Sequence, residues 1–226
     1  MSEAPAGGKT IWEMVKDRLG KNGSDVPFLN PLDLRINTPV LVSKVNGPEF
    51  EGFTFSVKEI REYVRQIGGR DFGFTDYVLA GTNAKTFNPE DSITVRLRLV
   101  PNLAGAQDAL LLRIYDELAF DPGFLEVLKD TTGIFEVRDN DSGTVETYSR
   151  INDLKDPYDA AVMVITGTTE DGKAPPGKVT SEKLEYWDYW REIEIGGGKT
   201  AKQYAFVEMN SDTGWFQIWR GTEFFP

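Results

Sequence analysis

Leu184–Ile195 (LEYWDYWREIEI), Lys202–Met209 (KQYAFVEM) and Gly214–Phe225 (GWFQIWRGTEFF) decide how this chain is read. They hold four of its five tryptophans and read as three consecutive β-strands. Gly196-Gly197-Gly198 and Asn210-Ser211-Asp212-Thr213-Gly214, which join them, have turn composition. Alternation puts Trp187, Tyr189, Ile193 and Ile195 on one side of the first strand. Ala205, Val207 and Met209 take one side of the second, and Phe216 and Ile218 one side of the third. Tyr204, Phe206, Trp215 and Trp219 lie on the opposite sides. A sheet wet on one face does not need apolar residues on both. Large aromatics are usually core. The four on the opposite sides are therefore read either as core or as the candidate partner or ligand surface.

Upstream the same alternation recurs. In Ile93–Val100, Ile93, Val95, Leu97 and Leu99 face one way, and Thr94, Arg96 and Arg98 the other. Pro39–Val45, Phe53–Val57, Phe74–Gly81, Ala109–Leu118 and Ala161–Thr166 read as strands. Gly133–Arg138 and Thr144–Ile151 read as a hairpin around Asp139–Gly143. Val57, Ile60, Val64 and Ile67 fit a helix face, but Tyr63 and the β-branched residues suit a bulged strand, which we favour. Helical signals are few. Thr10 and Glu13 form a capping box for a helix ending at Gly20. Its stripe of Ile11, Trp12, Val15 and Leu19 must dock on this protein or a partner. Asp121-Pro122 starts a second short helix, and Asp156-Pro157 starts another helical turn. The fold class predicted is mainly β, with antiparallel sheets as a sandwich or partly open barrel. The expected layout is a disordered lead at 1–9, a helix plus β-rich region at 10–166, and a C-terminal meander at 180–226 in the same globular unit. Residues 167–179 form an exposed loop and the best internal boundary.

The composition excludes more than it assigns. The 226 residues contain no cysteine and no histidine. That removes disulfides, thiolate and histidine-dependent catalysis, and the usual zinc, copper and haem ligands. The net charge of −11 argues against a nucleic-acid backbone or an anionic membrane surface as partner. No apolar run reaches the ~18 residues of a membrane span, and Met1–Gly8 has no apolar signal core. These readings predict a cytoplasmic protein with no cofactor, no nucleic-acid partner and no direct membrane insertion.

Two local motifs fail on spacing. Gly196–Thr200 and Gly7–Thr10 resemble the end of a phosphate loop, but the required upstream glycines are Ile193 and Glu3. Asp139–Gly143 resembles a calcium loop, but Gly143 stands at the third ligand and Arg150 at the twelfth. Carboxylates abound: Asp116/Glu117, Glu185/Asp188, Glu192/Glu194, Glu208 and Glu223. Asp188, Glu192 and Glu194 share the face of Leu184, Tyr186 and Trp190, and Glu208 that of Tyr204 and Phe206. Acids among aromatics suit either sugar chemistry or plain solubility.

Asn30–Ile36 (NPLDLRI), Phe74–Leu79 (FTDYVL), Phe206–Glu208 and Asp212–Glu223 (DTGWFQIWRGTE) resemble a set of uncharacterised bacterial domain families. These are often encoded beside phage-shock-protein-A-like membrane-remodelling proteins and small membrane proteins. The resemblance implies a β-rich accessory protein in envelope stress or membrane maintenance, with no catalytic residues to carry over. The first functional expectation is thus a non-enzymatic interaction protein with a protein partner. The alternatives are a carbohydrate-binding or carboxylate-dependent carbohydrate-active protein, and a phage-associated structural protein.

Overall fold

The computed structural model describes residues 32, 34–40, 50, 53–67, 70–83, 92–101, 107–138, 143–151, 157–167 and 178–223. The strands are β1 (Pro39–Val40), β2 (Phe53–Ile67), β3 (Arg70–Asn83), β4 (Ile93–Pro101), β5 (Gln107–Leu118), β6 (Ile134–Arg138), β7 (Val145–Arg150), β8 (Tyr158–Thr166), β9 (Lys178–Gly196), β10 (Lys199–Asn210) and β11 (Phe216–Glu223). One helix, α1 (Pro122–Leu128), is described. The predicted helix from Thr10 to Gly20, the lead 1–9 and most of the turn at 139–143 lie outside the described residues.

Two four-stranded meanders, β2–β3–β4–β5 and β8–β9–β10–β11, are joined edge to edge. β5 pairs β11 and β2 pairs β8, all antiparallel, so the ring closes as an eight-stranded barrel. The expected mainly β, antiparallel fold is present, and the expected sandwich or partly open barrel is met only roughly, because the sheet closes fully. Closure satisfies the backbone groups that an open sheet would leave on its edges. Gly221 fits the β5–β11 seam because a Cβ there would lie 1.9 Å from the Leu111 carbonyl oxygen.

Residues 57–67 are strand. β2 slips register between Val57 and Glu59, so its start pairs β1 and its remainder pairs β8. Such a bulge bends a strand and lets one edge serve two neighbours. The helical turn expected from Asp156-Pro157 gives way to strand: β8 begins at Tyr158, immediately after Pro157. β9 likewise begins at Lys178, inside the segment expected as loop. Its first half pairs β8 and its second half touches β7. The β9–β10 hairpin closes on Gly197 and Gly198, both at positive φ (63° and 71°), which a two-residue type I′ turn requires. At the β10–β11 corner Asn210 Oδ1 accepts from the backbone N–H groups of Asp212 and Thr213, and Gly214 sits at φ 72°.

Both walls of the barrel are buried. Outside β2, β3, β4 and β8, one core gathers Phe55, Val57, Ile60, Tyr77, Leu79, Val95, Leu97 and Met163, covered by Leu34, Ile36 and Val40. Outside β9, β10 and β11, a second core holds Trp187, Tyr189, Ala205, Val207, Phe216 and Ile218. The β6–β7 hairpin and α1 cover it with Phe135, Val137, Tyr148, Phe124, Leu125 and Leu128. As expected, α1 is capped by Asp121, whose Oδ1 accepts from Gly123 N (2.8 Å) and Phe124 N (3.4 Å). Its C-terminal carbonyl, Leu128 O, accepts from Arg150 Nη2 at 2.7 Å.

Candidate functional site

The face that alternation set opposite each apolar stripe points into the barrel. There, aromatics and charges share one enclosed space. From β4, Arg96 and Arg98 enter, each 3% exposed. From β3 comes Asp76, from β10 Glu208, and from β2 Tyr63. Arg98 grips Asp76 two-handed, Nε to Oδ1 and Nη2 to Oδ2, both 2.8 Å. Its Nη2 also reaches Glu208 Oε1 at 3.0 Å. Arg96 Nη1 donates to Glu208 Oε2 at 2.6 Å and to the Tyr63 hydroxyl at 3.1 Å, and its Nη2 to Gln217 Oε1 at 3.2 Å. The Arg96 guanidinium lies over the Trp219 ring, 3.7 Å from its centroid, and Arg98 lies 4.5 Å from both Phe74 and Phe206.

A charge buried here must be paired and hydrogen-bonded. Burial alone would raise the pKa of Glu208, but Arg96 and Arg98 outweigh it and hold the carboxyl at about 2. Glu208 therefore stays ionised at neutral pH and is a poor proton donor. Burial pushes the Tyr63 phenol well above its ordinary value, so it remains a neutral hydroxyl.

One step along the barrel the pairing is incomplete. Asp188 of β9 is 6% exposed, and its Oδ2 accepts from Arg65 Nη1 at 3.0 Å. Its other oxygen, Oδ1, is buried with no hydrogen-bond partner among the described residues. Arg65 Nη1 also donates to the Tyr186 hydroxyl, and its guanidinium lies 5.4–5.6 Å from the rings of Phe74, Tyr158 and Tyr186. Burial raises the Asp188 carboxyl above its ordinary value, against the opposing pull of Arg65 and Arg98.

Asp188 lines a recess of about 160 Å³ at this end of the barrel. Its walls are Phe74, Phe206, Tyr204, Leu110, Val100 and Ile151, with Arg65 and Arg98 beside them. An engineered cavity of roughly 150 Å³ in another protein holds one benzene. Unanswered buried polar atoms are uncommon in native structures, so this one calls for an account.

The candidate surface is thereby divided. Tyr204 and Phe206 line the recess together. Trp219 is buried at 3% exposure further inside the barrel. Trp215, on the same parity, sits before β11 begins and is 53% exposed. Arg65, Arg98, Phe74, Leu110, Val100 and Ile151 were not anticipated as site residues. The available signal was the alternation of Arg96 and Arg98 in β4, which reads equally well as a solvated face. Glu192 and Glu194 are exposed, away from the buried acids. Gly196–Thr200 forms a hairpin turn, and no cluster of metal-ligating side chains occurs among the described residues. No helix among the described residues is long and apolar enough to cross a membrane.

No family model, no curated protein and no solved structure matches the chain.

Proposed function

We propose that this chain is a non-catalytic binding protein whose barrel takes a small organic ligand in the recess beside Asp188. The observation that carries the reading is a concave, aromatic-walled space lined by a residue with an unanswered buried oxygen. Apolar walls with a few convergent polar groups are what small-molecule sites consist of. Eight-stranded barrels have room for one small ligand. A carbohydrate suits the recess less well, because a sugar needs many hydrogen bonds and these walls are largely apolar. A carboxylate-dependent hydrolase suits it less again, because Glu208 is held ionised by two arginines.

Within a membrane-stress or membrane-maintenance system, the setting the resemblance implies, such a barrel would act by binding and not by turnover. The test is a fragment screen by ligand-observed NMR on the full chain and on Ile151→Trp, which places a bulky ring at an exposed position of the recess wall. We expect fragments of about ten non-hydrogen atoms or fewer to bind the native chain and to lose binding in the variant, given the size of the space. Absence of any fragment signal, or binding that ignores the variant, would remove the reading.

A protein partner is a second reading, favoured by one corner of the surface. Trp215 and Phe120 are each 53% exposed, and Phe120 packs against Gly214 and Phe216. Exposed aromatics of this kind are frequent anchors at interfaces. A partner that survives Ile151→Trp but is lost in Trp215→Ala would move the function to this corner.

A further inference from the structure

We infer that the recess selects a neutral, flat ring that carries one hydrogen-bond donor, such as a phenol or an N–H heteroaromatic, with the donor bonded to Asp188 Oδ1. The inference rests on the small-ligand reading above. Size comes first: about 160 Å³ admits a single ring and few substituents. Shape and polarity come next. Phe74, Phe206 and Tyr204 offer aromatic contact, and Leu110 and Val100 offer apolar packing. A heavily hydroxylated ligand would be poorly matched to these walls.

Charge decides the rest. Arg65 and Arg98 border the recess, so a cationic ligand meets two guanidinium groups. An anionic ligand meets the Asp188 carboxylate, whose Oδ2 is already engaged by Arg65 and whose Oδ1 is only an acceptor. A neutral donor avoids both conflicts. It also answers Asp188 Oδ1, which has no hydrogen-bond partner among the described residues, and a site with an unanswered acceptor discriminates strongly against ligands that cannot fill it.

The experiment titrates the full chain with phenol, toluene, benzoate and benzylamine, read by isothermal calorimetry or by chemical-shift changes of the tryptophan indoles. Phenol and toluene are nearly isosteric, so their ratio isolates the donor. We expect phenol to bind at least about tenfold tighter than toluene, in line with one hydrogen bond to a charged group. Benzoate and benzylamine should both bind more weakly than phenol. In Asp188→Asn, with circular dichroism verifying the fold, the phenol preference should fall below about threefold as the charged acceptor is replaced by a neutral amide. Equal binding of phenol and toluene, or tightest binding by either ion, overturns the donor assignment and leaves the small-ligand reading standing. Failure of all four probes to bind overturns both. The comparison on the native chain holds even if the variant does not fold.

Discussion

Glu208 and Asp188 are two carboxylates buried on adjacent strands of one barrel, and their environments drive them in opposite directions. Glu208 accepts from three donors, one each on Arg96, Arg98 and Tyr63, and its carboxyl is pulled down to about 2. Asp188 has one answered oxygen and one unanswered, and its carboxyl is pushed up. The difference teaches how this barrel divides labour. A network in which both oxygens of Asp76 and of Glu208 are answered clamps β2, β3, β4, β10 and β11 together across the lumen. A half-paired group next to it leaves polar capacity at an aromatic-walled recess. Burial was the same starting condition for both, so partner count decides the outcome.

The largest expected effect strikes the clamped region. Trp219→Ala should destabilise the protein by about 3–5 kcal/mol, through lost ring volume and loss of the Arg96 contact. Thermal unfolding with near-ultraviolet circular dichroism reads this directly. An unchanged midpoint with native aromatic signals would show that the barrel interior does not depend on this ring.

The next effect is on pH dependence. Glu208 has a folded value of about 2 against an ordinary 4.5, so its stabilisation is present above pH 4.5 and is lost as pH falls towards 2. The drop corresponds to about 3 kcal/mol. Asp188 has the opposite sign. Its folded value is raised above 3.8, so its contribution is greatest below that pH and declines as pH rises through the folded value. Urea unfolding between pH 2 and 6 should therefore show an acid-side loss in the native chain that is absent in Glu208→Gln. An identical acid limb in that variant would break the assignment.

Asp188→Asn sharpens the comparison at smaller amplitude. Because ionising Asp188 is already opposed by burial, neutralising it should change stability by less than about 1 kcal/mol at pH 7, whereas Glu208→Gln leaves two buried arginines short of a counter-charge. Equal losses in the two variants, measured by urea unfolding, would mean that the two acids do the same job. The smallest effect belongs to Trp215→Ala at the exposed corner, within about 0.5 kcal/mol of the native chain. A multi-degree fall in melting temperature would show that this indole packs more than its exposure suggests.

Alternation, turn chemistry and capping were determined by the sequence alone. The periods of Ile93–Val100 and Leu184–Ile195, the turns at Gly197-Gly198 and Asn210–Gly214, and the Asp121 cap are local, and each stands where its residues put it. Placement of Asp188 and Glu208 on the aromatic faces of their strands was also legible, because parity along a strand needs no partner. Tertiary structure decided what those faces meet. Arg96 and Arg98 alternate as a solvated face would, and only the pairing of β2 with β8 and β5 with β11 turns that face inward. The separation of Trp215 from Trp219 follows from where β11 begins, although parity groups them. Pro157 carries a helix-start signal, but strand pairing of Tyr158 with Tyr186 overrides it. The recess depends on Ile151, Arg65, Leu110 and Asp188, which are far apart in the chain and meet only because the ring closes. Closure is a long-range pairing choice made by the whole chain, and no local window of residues encodes it.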